Sequence, residues 1–302
     1  MIMPFTPTTL NYTTEYSKAM ANAYRYWSYF SDLYGSPNSA TYRPVEGKTV
    51  AVQSMTVSGA KAVDRNNLNG VFSRNFNTAQ QLLEMSMDRE WSTLVDPMDI
   101  KEDAIVTVAN ITEVFNQFQK IPEMDCYAAS KIFAAANTAS RTDTTALTAA
   151  NILAQWDTYL AAMTDARVPR DRIRCKMTPA TYKLLKEATG LTRFVETGNG
   201  IQPVDRNVAK LDGITIEEVP SDIMKTAYTF TEGWVPASGA GQINMILFDP
   251  LAIAAPVVYD VSMMSAPTAQ SKGKWLYYER YYYDVFVLNQ RTNGIFVHYT
   301  AA

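Results

Sequence analysis

From Leu83 to Val95 the sequence alternates without a break. Leu83, Met85, Met87, Arg89, Trp91, Thr93 and Val95 fall on one face, with Glu84, Ser86, Asp88, Glu90 and Ser92 on the other. A period of two held this long predicts a strand that buries one side only. Thr49 to Val57 is a second extended run, rich in Val and Thr. The Asn- and Gly-rich stretch between them, Gly59 to Gln81, reads as an open hairpin-like loop. Such strands would reach roughly 30–40 Å at ~3.3 Å per residue. A two-stranded hairpin is marginal alone in water, so one that is charged on one face is expected to lie on something else.

The rest of the chain mixes helix and strand. Residues 1–46 do not read as part of a compact core. They carry a short aromatic helix from about Tyr16 to Leu33, with Met20, Tyr24, Trp27 and Phe30 about a turn apart. That face needs a surface, on the same chain or on a neighbour. Ile105, Val108, Ile111, Phe115 and Phe118 then recur at helical spacing, and Met124, Tyr127, Ala128, Ile132 and Ala135 continue the stripe. Pro122, between the two, either kinks one long helix or starts a second. Asp143 or Thr144 is the expected N-cap of a helix through Leu147, Leu153, Trp156, Leu160 and Met163. Ile173, Cys175 and Met177 mark a strand, and Pro179 opens a helix closed by Gly190. Asp212-Gly213 marks a turn between short strands, and Ile243 to Phe248 an apolar strand. Trp275 to Asn289 reads as one long strand covered on both faces, followed by a type I′ hairpin at Asn293-Gly294 that returns through Ile295 to Tyr299.

Little in this sequence suggests chemistry. The 302 residues hold a single histidine, His298, which removes most imidazole-based acid–base and metal schemes. Lys+Arg 27 against Asp+Glu 30 leaves a net charge of −3, without the basic excess of a dedicated nucleic-acid binder. Cys126 and Cys175 are too sparse for a disulfide framework and read as buried thiols. Asp88-Arg89-Glu90, Asp99 with Glu102-Asp103, and Glu123 with Asp125 read as surface or intersubunit ion pairs. Gly198-Asn199-Gly200 and Gly239-Ala240-Gly241 are loop punctuation rather than phosphate cradles. The tyrosines of Tyr277–Tyr283 suit a sheet face packed on a helix better than a base-stacking platform. No catalytic, cofactor-binding or metal-ligating residue is assigned. With no signal peptide and no apolar run long enough to span a bilayer, the chain reads as soluble and made in the cytoplasm.

The order of these elements resembles the tailed-bacteriophage major capsid proteins, with their Hong Kong 97-type fold. Asp64-Arg65-Asn66 followed by Gly70 resembles the polar tip of that family's extended hairpin, the E-loop. Met87-Asp88-Arg89-Glu90-Trp91 through Val95-Asp96-Pro97-Met98-Asp99-Ile100-Lys101-Glu102 resembles its returning strand. Ile121-Pro122-Glu123-Met124-Asp125-Cys126-Tyr127 resembles the start of the spine helix. Glu279-Arg280-Tyr281-Tyr282-Tyr283-Asp284-Val285-Phe286-Val287-Leu288, with Asn293-Gly294-Ile295 and His298, resembles the closing strands.

The resemblance implies an α+β capsid fold. Its parts would be an N-terminal arm (1–46), an E-loop hairpin (47–98), a peripheral domain with a long spine helix (99–143 and 255–302) and an axial α/β domain (144–254). It further implies a non-enzymatic homo-oligomer of pentameric and hexameric capsomers, closing an icosahedral shell around double-stranded DNA without sequence-specific binding. A portal protein and a separate scaffolding protein would be its partners, without N-terminal processing or contact with a membrane, and the virion its destination. Lys48 and Lys61 near the hairpin, with Asn289 and Asn293 in the closing strands, are not expected to cross-link. The rival readings are an encapsulin-like nanocompartment shell that packages cargo protein, and a soluble α/β enzyme with its site in 144–254.

Overall fold

The computed structural model describes residues 27–42, 49–60, 74–102, 108–188 and 208–302. Outside these lie the expected positions Met20 and Tyr24, the hairpin tip with Asp64-Arg65-Asn66 and Gly70, Lys48, Lys61, Asp103, Ile105, Gly190 and Gly198-Asn199-Gly200.

Two short helices open the described chain, α1 (Ser31–Tyr34) and α2 (Pro37–Thr41). For the described residues 27–42 they correct the expectation that this region stands apart from the core. Phe30 and Leu33 are fully buried in it. Asn38 donates its amide to Leu251 O and Ile253 O at 3.2 and 2.9 Å, and Ser39 Oγ accepts from Ala255 N at 2.9 Å.

The antiparallel hairpin β1 (Thr49–Val57) and β2 (Phe76–Glu84) follows, in register from Thr49↔Glu84 to Val57↔Phe76. The alternating run Leu83–Val95 is therefore not one strand. Met85-Ser86 interrupts it, and β3 (Met87–Val95) pairs elsewhere. The charged face expected on the hairpin belongs to β3; Glu84 is the hairpin strands' lone ionisable side chain.

After α3 (Pro97–Glu102) come α4 (Val108–Phe115), a π-helical stretch Asn116–Lys120, and α5 (Ile121–Thr138). Pro122 sits in the first turn of α5, as one of the two expectations had it, and the π-helical stretch before it carries the helix on from α4 without a break. Its ring would clash with the carbonyl four residues back, and the wider π turn accommodates it. The strand β4 (Thr142–Asp143) precedes α6 (Ile152–Asp165), which starts later than expected. The capping exchange is made by Thr148 and Asn151, Thr148 N donating to Asn151 Oδ1 at 2.7 Å, while Asp143 caps no helix.

The chain continues through β5 (Arg174–Met177), α7 (Pro179–Glu187), β6 (Lys210–Leu211) and β7 (Ile214–Glu218). Asp212 and Gly213 turn β6 into β7 with φ of 51° and 83°, the left-handed pair a type I′ turn requires. A small hairpin, β8 (Tyr228–Thr229) with β9 (Val235–Pro236), precedes β10 (Gln242–Phe248) and β11 (Ile253–Ala254). The chain closes with β12 (Val257–Ser265), β13 (Trp275–Tyr283), β14 (Phe286–Val287) and β15 (Ile295–Thr300). The long C-terminal strand is thus broken at Asp284-Val285. Asn293-Gly294 ends a 3₁₀ turn rather than a hairpin, because β15 pairs with β10. Gly294 is required there by proximity: a Cβ would come within 2.8 Å of Ala252 Cβ.

Two sheets build the body. The larger has the order β4-β15-β10-β5-β7-β6. One face packs on α6 and α7 through Met245, Leu247, Cys175, Trp156 and Leu160, and the other on α5 through Ile246, Phe248, Val297 and Ile132. Covered on both sides, β10 reads as a nearly continuous apolar run. The smaller sheet, β12-β13-β3, lies on α4–α5, with Trp91 stacked on Phe115 at 4.1 Å and Tyr127 edge-on to Tyr283 at 5.4 Å.

Candidate assembly surfaces

The histidine, the cysteines and the described glycine fragment singled out in the sequence have these surroundings. His298 is buried, with Nε2 2.7 Å from Thr145 O and Nδ1 3.1 Å from the Asn244 amide. A carbonyl only accepts, so Nε2 carries the proton and Nδ1 accepts from Asn244. Cys126 and Cys175 are buried free thiols, and burial pushes both far above the ordinary thiol range. Gly239 takes φ 75° in a loop, and a Cβ on Gly241 would lie 2.5 Å from Thr300 O. Among the described residues no group of His, Cys, Asp or Glu is placed to hold a metal, and no helix is long and apolar enough to cross a membrane.

The acidic clusters divide. Asp88 holds Arg280 in a two-pronged pair at 2.7 and 2.9 Å on the exposed face of the small sheet, and Glu90 accepts from Tyr278 Oη. Asp99 lies half-buried on α3. Glu123 and Asp125, expected at a surface, are instead buried within the chain. The helix stripe accounts for the difference: α5 is covered by the tyrosine sheet and by residues 28–34, so its polar positions find partners inside. Asp125 accepts from Ser28 Oγ and Tyr29 N at 3.1 and 2.7 Å. Glu123 accepts from Arg89 Nη2 at 2.8 Å and Tyr283 Oη at 3.0 Å, while Arg89 Nη1 donates to Phe230 O. Lys120 pairs with the buried Glu279. Of the tyrosines of β13, Tyr281 and Tyr283 enter the core over the helix as expected, while Tyr278 and Tyr282 lie on the exposed face, so this strand is covered on one side and not on both.

Burial pushes the Glu123 carboxyl above its ordinary 4.5, against the pull of Arg89 and Tyr283. The native chain therefore holds this proton to higher pH than the unfolded chain does. Stability from this group is highest below about pH 4.5 and falls as pH rises through the native value. Glu123→Gln is expected to flatten that decline, read as urea midpoints between pH 4 and 7 that converge with wild type at the acid end. Parallel profiles would refute the assignment.

Several large apolar side chains are exposed, in two groups. Val50, Val52, Gln81 and Leu83 turn the base of the hairpin toward Leu288 and Phe286. The opposite parity points away from the body and carries Met55, Val57, Phe76 and Leu82, exposed by 65%, 74%, 48% and 67%. Beyond Ser54 and Ala79 neither face of the hairpin is covered. A second group, Leu94, Met98, Met263, Met264 and Leu276, is exposed where the small sheet ends. Nearby, a groove of ≈ 800 Å³ runs between that sheet and α4, lined by Ile100, Ile121, Met264, Trp275 and Tyr277 among others. Single exposed apolar residues are ordinary. On the hairpin Val57 stands opposite Phe76 with Met55 next on the same face, while Leu82 lies beyond the Gln53–Gln80 pair. Such a grouping marks an interaction surface. The sequence led to the expectation of a hairpin lying on another surface but placed its apolar face on the Leu83–Val95 alternation; Met55, Val57, Phe76 and Leu82, set among neutral Ser, Thr, Asn and Gln, give no comparable signal.

No protein-family model matches the chain. No curated protein matches it either. Solved structures do. The chain is similar over 95% of its length to a chain of the bacteriophage PhiM1 mature capsid, covering 91% of it at 12% identity with a TM-score of 0.68. Against the capsid of cyanophage P-SCSP1u the figures are 96% and 93% coverage, 14% identity and 0.68. Against the capsid of Ralstonia phage GP4 they are 96% and 95%, 13% and 0.57. At such identities the likeness is one of fold, and the chain has the α+β fold of these phage capsid chains.

Proposed function

We propose that the chain is a major capsid protein, a structural subunit that assembles with its own copies into a shell. The observation that carries this reading is the projecting hairpin, whose apolar side faces away from its own body on a chain with a phage-capsid fold. In the proposed division, 1–46 is an arm, 47–98 the E-loop, 99–143 with 255–302 the peripheral domain, and 144–254 the axial domain. The arm's described end is anchored in the body by Phe30, Leu33 and Asn38. Copies would associate as pentamers and hexamers in an icosahedral shell around double-stranded DNA, with scaffolding and portal proteins as partners. No catalytic role is assigned. The net charge of −3 suits a subunit that encloses DNA without gripping it.

Electron microscopy of the chain expressed with its neighbouring genes, with nucleic acid measured in the purified particles, tests the reading. Closed shells containing DNA are expected. Shells filled with protein cargo would favour the nanocompartment, and a compact monomer at every concentration would overturn assembly altogether.

A further inference from the structure

We propose that the side-chain amide of Gln81 is the bracket that sets the angle between the β1–β2 hairpin and the body. Its Nε2 donates to Val287 O at 3.3 Å, and its Oε1 accepts from Asn289 N at 3.0 Å. A carbonyl only accepts and a peptide N–H only donates, so the amide has one orientation that satisfies both. In effect the side chain pairs with the 287–289 backbone as a short strand would. The Asn289 N–H opens a 3₁₀ turn, where the first donors lack partners within the turn, and Gln81 supplies one.

The platform it grips is rigid. Phe286 and Val287 pair with Ala254 and Ile253, and Leu288 N donates to Ala252 O at 3.0 Å. The other attachments of the hairpin base are the small apolar cluster of Val52, Leu83 and Leu288 and, at its pivot just past β2, Ser86 held by Asp284. Apolar contacts hold the base down, but they are non-directional and do not fix its tilt. Gln290 Nε2 to Ser54 Oγ, at 3.5 Å, is a weaker, exposed contact. Tilt has leverage. From Gln81 to Phe76 is about 17 Å of strand, so a swing of about 20° carries Phe76 roughly 6 Å, beyond the reach of an apolar contact. The bracket thus presents Met55, Val57, Phe76 and Leu82 at a defined place before any second copy arrives, which lowers the ordering cost of association. This last step rests on the shell reading; the bracket itself does not.

The test uses the full chain, dilute and unassembled, with spin labels at Thr56→Cys and Asp157→Cys, the native cysteines being buried. Gln81→Met keeps the size of the side chain and removes both hydrogen bonds. It is expected to widen the label–label distance distribution and leave the thermal midpoint nearly unchanged. The Asn289 amide should exchange about tenfold faster, the factor that one ordinary hydrogen bond represents. Gln81→Glu keeps the acceptor for Asn289 but aims an oxygen at Val287 O, so it should still protect that amide while the distribution widens. An unchanged distribution and unchanged exchange in Gln81→Met would overturn the bracket, whether or not wild type forms shells. A widened distribution with wild-type shell yield and geometry would overturn its role in assembly.

Discussion

Asp284→Ala is expected to destabilise the isolated chain by about 4 kcal/mol, the range for removing one member of a buried, hydrogen-bonded charge network. The carboxylate is almost wholly buried, and four donors converge on it. Ser86 N and Ser86 Oγ reach Oδ2 at 2.8 and 2.9 Å, and Tyr127 Oη and Val285 N reach Oδ1 at 2.8 and 2.7 Å. Lys131 Nζ stands 3.9 Å off. Alanine would leave two backbone N–H groups without acceptors and leave Tyr127 Oη only Ser86 Oγ, 3.0 Å away. Burial already pushes Tyr127 well above the ordinary phenol range, so that hydroxyl stays a donor. Asp284→Asn retains one oxygen and should cost about half as much. Urea unfolding of the unassembled chain measures both, and a loss under about 1 kcal/mol for the alanine variant would mean that water replaces the carboxylate. The joint matters because Ser86 lies where β2 gives way to β3, Asp284 where β13 gives way to β14, and Tyr127 on α5. One side chain locks the hairpin, the small sheet and the long helix together.

The same joint explains where the sequence misled. Leu83–Val95 alternates straight through Met85-Ser86 because a two-residue interruption preserves parity, so a period of two survives a change of pairing partner. Asp284, isolated among Tyr, Val, Phe and Leu, was the one local sign that the C-terminal run breaks; a strand covered on both faces has no place for an unpaired carboxylate. Elements held by local chemistry were readable. The Asp212-Gly213 turn has the backbone its residues demand, and Ile243–Phe248 is the doubly covered strand its composition implies. Asn293-Gly294 misled for the opposite reason: Gly294 is there to let the chain pass Ala252, a long-range need that a dipeptide cannot reveal. Glu123, Asp125 and Gln81 were equally opaque, since their roles are set by partners 34 to 208 residues away. The fold was nonetheless legible through the order of the elements, which the capsid structures share.

Charge placed on the outward face of the hairpin is expected to abolish assembly while leaving the subunit intact. In Met55→Asp with Leu82→Asp, each replaced side chain is about two-thirds exposed in the isolated chain, so little folding stability is at stake, within about 0.5 kcal/mol. If a second copy covers them, each lost burial is worth about 1.5–3 kcal/mol, and desolvating the new carboxylates costs more. Two such losses weaken one contact by about 10²–10⁴-fold, and a closed shell multiplies that deficit over many contacts. Sedimentation velocity of wild type and variant at matched concentration reads the difference as shells against subunits, with urea midpoints as the control for folding. Lys183→Ala, on the exposed side of α7, should change neither. Shells formed by the double variant at wild-type yield would show that the outward face meets solvent in the particle. The apolar residues there would then need another explanation, because an unpaired hairpin gains nothing in water from Met55, Val57, Phe76 and Leu82.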